Sequence, residues 1–400
     1  MTPYANMWVT LMGPLQLEAA WALSCIASGT ARHAQVVIDA GASDFIHLLS
    51  SPDVDIKLLA VWALGNISGE SSTNRNSLLH QGALQPLLAL LRERAEQPEP
   101  GSVLGYATWA LSNFCKDQPD WELVNFRSSL SVTFTYIHDQ ISPALTDLGR
   151  LIRSQDEIIL IDACWAISFL LDGDASNKKI QAIIETGIHE RLTELLNHSS
   201  VCVQTPALRS VGDIVTGDDL HTQAVIASGA LPALLSLLSS PDANIRAEAC
   251  WTISNITAGS STQIQAVIDA KIIPPLIDIM QKADDKSKLE ACWAISNAIS
   301  GAVHQPSQIW YIIQQGCIKP LCNLLSYEYS NQVALNALDN ILKAQERDST
   351  NPAVTFETDD VAKIHSLQLH QRDLIYRRAY DIMEKHFPEA ATKDLEAEMK

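Results

Sequence analysis

One phrase recurs along this chain and limits its fold more than any other feature. It reads WALSCIASG from Trp21, WALGNISGE from Trp62, WALSNFCKD from Trp109 and WAISFLLDG from Trp165. WTISNITAG from Trp251 and WAISNAISG from Trp293 follow, with a relative lacking the tryptophan, RSVGDIVTG, from Arg209 and a weak last copy from Asn336. Successive starts are 41, 47, 56, 44, 42, 42 and 43 residues apart. A chain built on a unit of about 42 residues lengthens by stacking and needs no single central core. That accommodates 400 residues, 47% of them apolar and only 18% charged, a balance that also excludes general disorder.

A second phrase fills the space between copies: an apolar turn, a glycine, then a leucine-rich stretch. Examples are SLLHQGALQPLLALL, ending at Leu91, and AVIASGALPALLSLLSSPDANI, ending at Ile245. Gly41, Gly82, Gly187, Gly229 and Gly316 fit helix C-terminal caps, where a positive φ favours glycine. The leucines that follow recur at i, i+3, i+4 and i+7, the buried stripe of a helix. Ser51-Pro52-Asp53 and Ser240-Pro241-Asp242 end that helix and cap the next. Each unit thus reads as a short helix and two longer ones, the third carrying the tryptophan phrase. That is an armadillo repeat. The expected fold is all-α, a right-handed α-solenoid of about eight or nine armadillo repeats over residues 1–387, with an irregular insertion at 121–141 and an acidic flexible tail at 388–400. The β-branched and aromatic residues between Asn125 and His138 do not match a repeat helix, and read either as a surface insertion or as translated intron.

The third helices of such a stack run parallel and line its concave face. Trp and the residue four later share one helical face, so Trp62/Asn66, Trp109/Asn113, Trp251/Asn255 and Trp293/Asn297 form two ladders, one of indoles and one of carboxamides. A carboxamide both donates and accepts, and can grip an extended peptide backbone whatever its sequence. Indole faces between rungs make slots for the aliphatic stems of Lys or Arg, with cation–π attraction added. Glu18, Asp162, Glu248 and Glu290 lie three residues ahead of their tryptophans, and Glu70, Asp172 and Asp219 follow the phrase near the rim. A lone helical Trp is ordinarily core. Six in register, four with Asn one turn on, point instead to a groove for an extended Lys/Arg-rich peptide.

Charge agrees. There are 28 Lys+Arg against 46 Asp+Glu, a formal net charge of −18, which disfavours nucleic acid and favours cationic partners. No apolar run approaches the roughly 18–20 residues of a membrane span, and the N-terminus carries no signal-peptide pattern. The eight cysteines lack zinc-ligand spacing and read as buried, reduced thiols of the cytosol or nucleus. No phosphate loop, metal-ligand spacing or nucleophile elbow is present, so neither an enzyme nor a cofactor is expected, and histidines such as His189 and His198 are assigned to helix surfaces or turns.

The ordered series WALGNISG, WALSN, DACWAISFLLDG, ALRSVGDIVTGDD, EACWTISNITAG and EACWAISNAISG resembles importin-α (karyopherin-α), from about Leu17 to Phe387. The resemblance implies a nuclear import adaptor, present in cytoplasm and nucleus, that binds monopartite and bipartite nuclear localisation signals of cargo proteins and carries no catalysis. The larger binding segment would comprise Trp21, Trp62, Asn66, Glu70, Trp109, Asn113, Asp162 and Trp165, with Glu70 taking the key lysine. The smaller would comprise Arg209, Asp219, Glu248, Trp251, Asn255, Glu290, Trp293 and Asn297, with Arg209 interrupting the array. The stretch from Ile364 to Phe387 is similar to the family's last helices, which serve the export receptor and a nucleoporin. Departures from the family pattern are Cys25 for a ladder Asn, Leu59 and Tyr106 for Gln and Asn, Asp213 for Asn, and Phe169 for Tyr. The basic N-terminal arm and first repeat are absent from the pattern, so loss of importin-β recruitment is expected. The alternatives are another armadillo scaffold, for which a basic groove is expected, or a chaperone of basic peptides.

Overall fold

In the computed structural model, residues 14–41, 43–95, 103–116, 144–172, 177–347 and 355–388 are described. The opening stretch around Met7 and Trp8, the 121–141 insertion and all of the tail after Pro388 lie outside the described residues. Those described are almost entirely helical, with no strand among them. The chain divides into two compact units, residues 1–195 and 196–400.

The first unit contains α1 (Pro14–Ala27), α2 (Ala31–Asp39), α3 (Ser43–Leu48), α4 (Val54–Glu70), α5 (Ser72–His80), α6 (Leu84–Ala95), α7 (Val103–Cys115), α8 (Leu145–Leu151), α9 (Glu157–Leu171), α10 (Lys178–Glu185) and α11 (Ile188–Leu195). The second contains α12 (Val201–Ile214), α13 (Asp219–Ala227), α14 (Ala230–Leu237), α15 (Ala243–Thr257), α16 (Ser261–Asp269), α17 (Ile273–Lys282), α18 (Asp285–Gly301), α19 (Pro306–Gln314), α20 (Ile318–Leu324), α21 (Asn331–Arg347), α22 (Thr358–Ser366), a 3-10 turn and α23 (Asp373–His386). Each unit is a stack of armadillo triplets, and the long third helices pack on one another in sequence, α1 on α4 on α7 on α9, and α12 on α15 on α18 on α21.

Local chemistry places the boundaries. The Asp53 carboxylate accepts from the backbone N–H groups of Asp55 and Ile56, and Asp242 does the same for Asn244 and Ile245. Each satisfies donors that the first turn of a helix leaves orphaned. Gly82 and Gly229, at the corner between first and second helices, have φ of 81° and 88°, a region costly for any residue with a Cβ. The triplet differs from expectation in one respect. The second helix is longer than the first in two triplets, twelve residues in α6 and ten in α17, but short in others, eight in α14 and seven in α20, where its leucine stripe spans only about two turns.

The core is aliphatic and continuous within each unit: Leu64, Ile67, Leu87, Leu111 and Ile167 in the first, Leu234, Ile253, Ile295 and Leu338 in the second, all fully buried. Six of the eight cysteines are buried, with Cys115 and Cys292 thiols pushed up to about 12 by burial. Cys25 and Cys202 are exposed, against the expectation of buried thiols. His189 is likewise buried rather than on a surface, and burial lowers its pKa.

Two sets of inter-repeat contacts fix the register of the stack. On the short first helices, the third residue reaches the first carbonyl of the preceding repeat. Asn74 Nδ2 donates to Ala31 O at 3.3 Å, Gln263 Nε2 to Asp219 O at 2.9 Å and Gln308 Nε2 to Ser261 O at 2.9 Å. On the third helices, the indoles of Trp109 and Trp251 rest where the neighbouring helix has no side chain. A Cβ added at Gly65 would stand 2.2 Å from the ring of Trp109, and one at Gly212 would stand 2.2 Å from the ring of Trp251. These glycines lie three residues after Trp62 and Arg209, a column that elsewhere reads Ser24, Ser112, Ser168, Ser254 and Ser296. Three of the serine hydroxyls there are spent locally: Ser24, Ser112 and Ser254 each donate to the carbonyl of their own tryptophan at 2.8 Å, whereas Ser296 donates to Val333 O of the next repeat at 3.3 Å.

This packing sets an expected contrast between two glycines. Gly65→Ala forces Trp109 off its seat and lowers stability by about 1–3 kcal/mol, the usual cost of overpacking. Gly105→Ala, in the interior of α7 where a Cβ meets nothing within 4 Å, raises it by about 0.5–1 kcal/mol through chain entropy. Urea midpoints of the two variants check both signs.

Candidate functional site

The expected groove residues are carried by third helices, and in the first unit the structure brings several of them to one cleft. Trp62 and Asn66 from α4, Gly105, Tyr106 and Trp109 from α7, and Asp156, Ile158 and Asp162 at and in α9 line a cavity of about 470 Å³. Trp62 and Trp109 are half-buried, and the Trp109 ring packs on Gly65 of α4. Tyr106, 43% exposed, and Ile158, 66% exposed, complete the walls. Ile158 was not among the expected binding residues, and Tyr106 was expected at a groove position only as a departure from the family's Asn. Both lie one turn from an expected binding residue, and that spacing was the available signal.

The other members of the larger segment fall outside this cleft. Trp21 is exposed on α1, with Cys25 one turn on, and Glu70 is the exposed last residue of α4. Trp165 stacks on Phe169 of its own helix, with ring centroids 5.6 Å apart, and the Lys116 ammonium lies 5.6 Å from that phenyl ring.

The carboxamides do more than face outward. Asn113 is almost fully buried and its Nδ2 donates to Gly65 O at 3.0 Å; Asn297 Nδ2 donates to Ser254 O, also at 3.0 Å. Each bond reaches the small residue three places after the preceding repeat's tryptophan, and at Gly65 this is also where the Trp109 indole rests. One amide N–H of each is therefore committed to the protein, and Asn113, expected on the groove face, is packed almost wholly inside. Asn66 and Asn255 hold a buried Nδ2 with no hydrogen-bond partner. A buried donor of that kind is costly unless something accepts from it.

Electrostatics separate the acidic residues. Asp162 lies half-buried in the cleft, and its carboxyl is pushed up to about 6 by loss of hydration, with Lys116 pulling it partly back. The Asp156 carboxylate, on the same cleft, accepts from the Ile158 N–H at 2.9 Å and serves as the N-cap of α9. Glu18 is exposed on α1, and Asp172 is exposed at the C-terminal end of α9.

In the second unit, Arg209 from α12 lies over the indole of Trp251, 4.8 Å from its centroid, and forms ion pairs with Asp213 at 3.3 Å and Glu248 at 3.2 Å. Glu248 thus already has a guanidinium partner. Glu290 does not share that pair. Burial first, and then the charge of Glu248, push its carboxyl upward. Trp293 is 42% exposed and Trp251 half-buried. Asp219 stands apart from the third helices, exposed at the first position of α13, where its backbone carbonyl receives Gln263.

Such a surface combines half-exposed indoles, anchored carboxamides and poorly hydrated carboxylates. Its chemistry suits an extended chain bearing cations on aliphatic stems. Among the described residues no group of three or more His, Cys, Asp or Glu side chains is placed to hold a metal ion.

Comparison with known proteins agrees with this architecture. Residues 30–69, 218–258, 260–300 and 305–339 match the armadillo/beta-catenin-like repeat, and residues 357–399 match the atypical Arm repeat. An engineered protein of known crystal structure superposes with a TM-score of 0.66 over 95% of this chain and 97% of its own, at 24% identity, a likeness of fold. A designed armadillo repeat protein gives a TM-score of 0.54 at 26% identity, over 60% of this chain and 98% of its own. Importin subunit alpha-1b of Oryza sativa subsp. japonica is 48% identical over 387 residues, 94% of this chain and 68% of that protein. Importin subunit alpha-3 of Arabidopsis thaliana is 46% identical over 94% of this chain and 69% of its own length. Importin subunit alpha-B of Dictyostelium discoideum is 52% identical over 89% and 67%. Identity at this level, across nearly all of the repeat array, makes the chain a member of the importin-α family.

Proposed function

We propose that this protein is a nuclear import adaptor whose third-helix groove binds extended Lys/Arg-rich localisation signals of cargo proteins, and that it works in cytoplasm and nucleus. The observation that carries the reading is the cleft lined by Trp62, Asn66, Trp109 and Asp162, where indole faces and a poorly hydrated carboxylate meet in one cavity. Trp21, Asn113, Trp165 and Glu70 would extend the larger segment, Glu70 from its exposed position at the end of α4. Trp251, Asn255, Trp293, Asn297 and Glu290 would form the smaller one. Arg209 marks an edge of that segment by occupying the Trp251 face itself. The C-terminal helices α22 and α23 are the proposed contact for the export receptor and a nucleoporin, as in the rest of the family. The mechanism is capture without chemistry: backbone held by amides, cationic stems held between rings, charge met by carboxylates.

A fluorescent Lys-rich peptide titrated at low and high salt tests the reading. Binding is expected at low salt and weakens as salt rises, because partly exposed charges are screened. Absence of binding at low salt defeats the proposal. A bipartite peptide is expected to lose affinity for Trp251→Ala/Trp293→Ala protein, whereas a monopartite one keeps it.

A pH dependence is expected as well. A bound cation favours the ionised form of Asp162, so binding releases a proton wherever the free carboxyl is partly protonated. Affinity therefore rises with pH through about 6 and falls by about fourfold from pH 7.5 to 5.5, the change a single carboxyl of that pKa allows. Asp162→Asn is expected to bind more weakly at pH 7.5 and to lose that part of the pH dependence; anisotropy titrations at the two pH values measure both.

A further inference from the structure

We propose that the cleft between Trp62 and Trp109 discriminates between the two basic side chains, selecting a guanidinium over an ammonium, and that Tyr106 sets this preference. The inference rests on the basic-peptide reading above and specifies which cation one slot takes.

Three aromatic side chains line the cleft, the indoles of Trp62 and Trp109 and the phenol of Tyr106, with the aliphatic Ile158 as a further wall. Tyr106 is 43% exposed, so its ring is available to a ligand rather than spent in the core. The polar groups are few. Asp156 is engaged as a helix cap through its 2.9 Å bond from the Ile158 N–H, which leaves Asp162 and the Asn66 amide. Burial has stripped Asp162 of part of its hydration.

The two candidate cations respond differently to these surroundings. An ammonium is a compact, strongly hydrated charge that needs several acceptors to replace its lost water. A guanidinium is planar and weakly hydrated, and it can lay its face on a ring while its edge donates to a carboxylate. A cavity rich in ring faces and holding one accessible carboxylate meets the second requirement and not the first.

The protein's own cations show the same difference. Arg209 lies 4.8 Å from the Trp251 centroid with carboxylates of Asp213 and Glu248 at 3.3 and 3.2 Å. Ring face and carboxylate together hold a guanidinium there. Lys116, the ammonium beside an aromatic ring, stays 5.6 Å from the Phe169 centroid, and burial lowers its pKa.

The test uses a series of peptides identical except that one lysine at a time is replaced by arginine, titrated against the full chain at low salt. At one position arginine is expected to improve affinity by about fivefold, in line with a partly desolvated cation–π contact. Tyr106→Phe keeps the ring and the preference. Tyr106→Ala reduces it to less than about twofold, and a urea midpoint equal to that of the unaltered protein shows that the variant is folded. Equal affinity of every peptide for the unaltered protein, or an arginine preference that survives Tyr106→Ala, overturns the inference and leaves the basic-peptide reading standing. Failure of all peptides to bind overturns both.

Discussion

The groove depends on a contact between an indole and an absent side chain. Trp109 sits on Gly65 and Trp251 on Gly212 so closely that a single added carbon would enter the ring. The indole thereby becomes part of the packing between successive third helices, and its exposed edge is presented at a fixed height above them. The amide bond from Asn113 to Gly65 locks the first of these pairs one turn further along, and that from Asn297 to Ser254 ties α18 to α15 in the same manner. Side chains proposed as ligand contacts are in this way held by the interface that stabilises the fold. Rotamer freedom that a surface Trp or Asn would ordinarily lose on binding is already lost on folding.

Carboxylates in the two units are prepared differently. Asp162 is poorly hydrated, with its burial only partly offset by Lys116, and Glu290 is destabilised by burial and by Glu248. A cation brought to either relieves an existing penalty, which makes the contact worth more than an ordinary surface pair. Glu248, by contrast, is already met by Arg209 at 3.2 Å, and a peptide cation arriving there would find its charge balanced.

Much of this was legible in the order of residues, and the parts that were not have physical reasons. The period, the cap glycines and the Asp N-caps are local signals, each decided within a few residues, and the helices begin and end where those residues stand. The tryptophan ladder was readable because its register repeats. The small-residue column three places later was equally regular, but its meaning appears only when a neighbouring helix is laid against it. The Arg209–Glu248 pair joins residues 39 apart and depends on which way two side chains turn. Tyr106 was legible as a groove position, but the company it keeps there, Trp62 from α4 and Ile158 and Asp162 from α9, was not, since it depends on how those helices pack. His189 was misplaced because a helix-surface position became buried once another helix covered it.

The stacking of Arg209 on Trp251 makes that slot a tethered complex. An intramolecular cation cannot diffuse away, and its effective concentration is set by a side chain's reach, far above that of any peptide in solution. The face of Trp251 that it covers is therefore saturated at every ligand concentration. An incoming chain must compete with a permanent occupant or pass beyond it. In the proposed groove, that face of Trp251 opens to a peptide cation only when Arg209 leaves it.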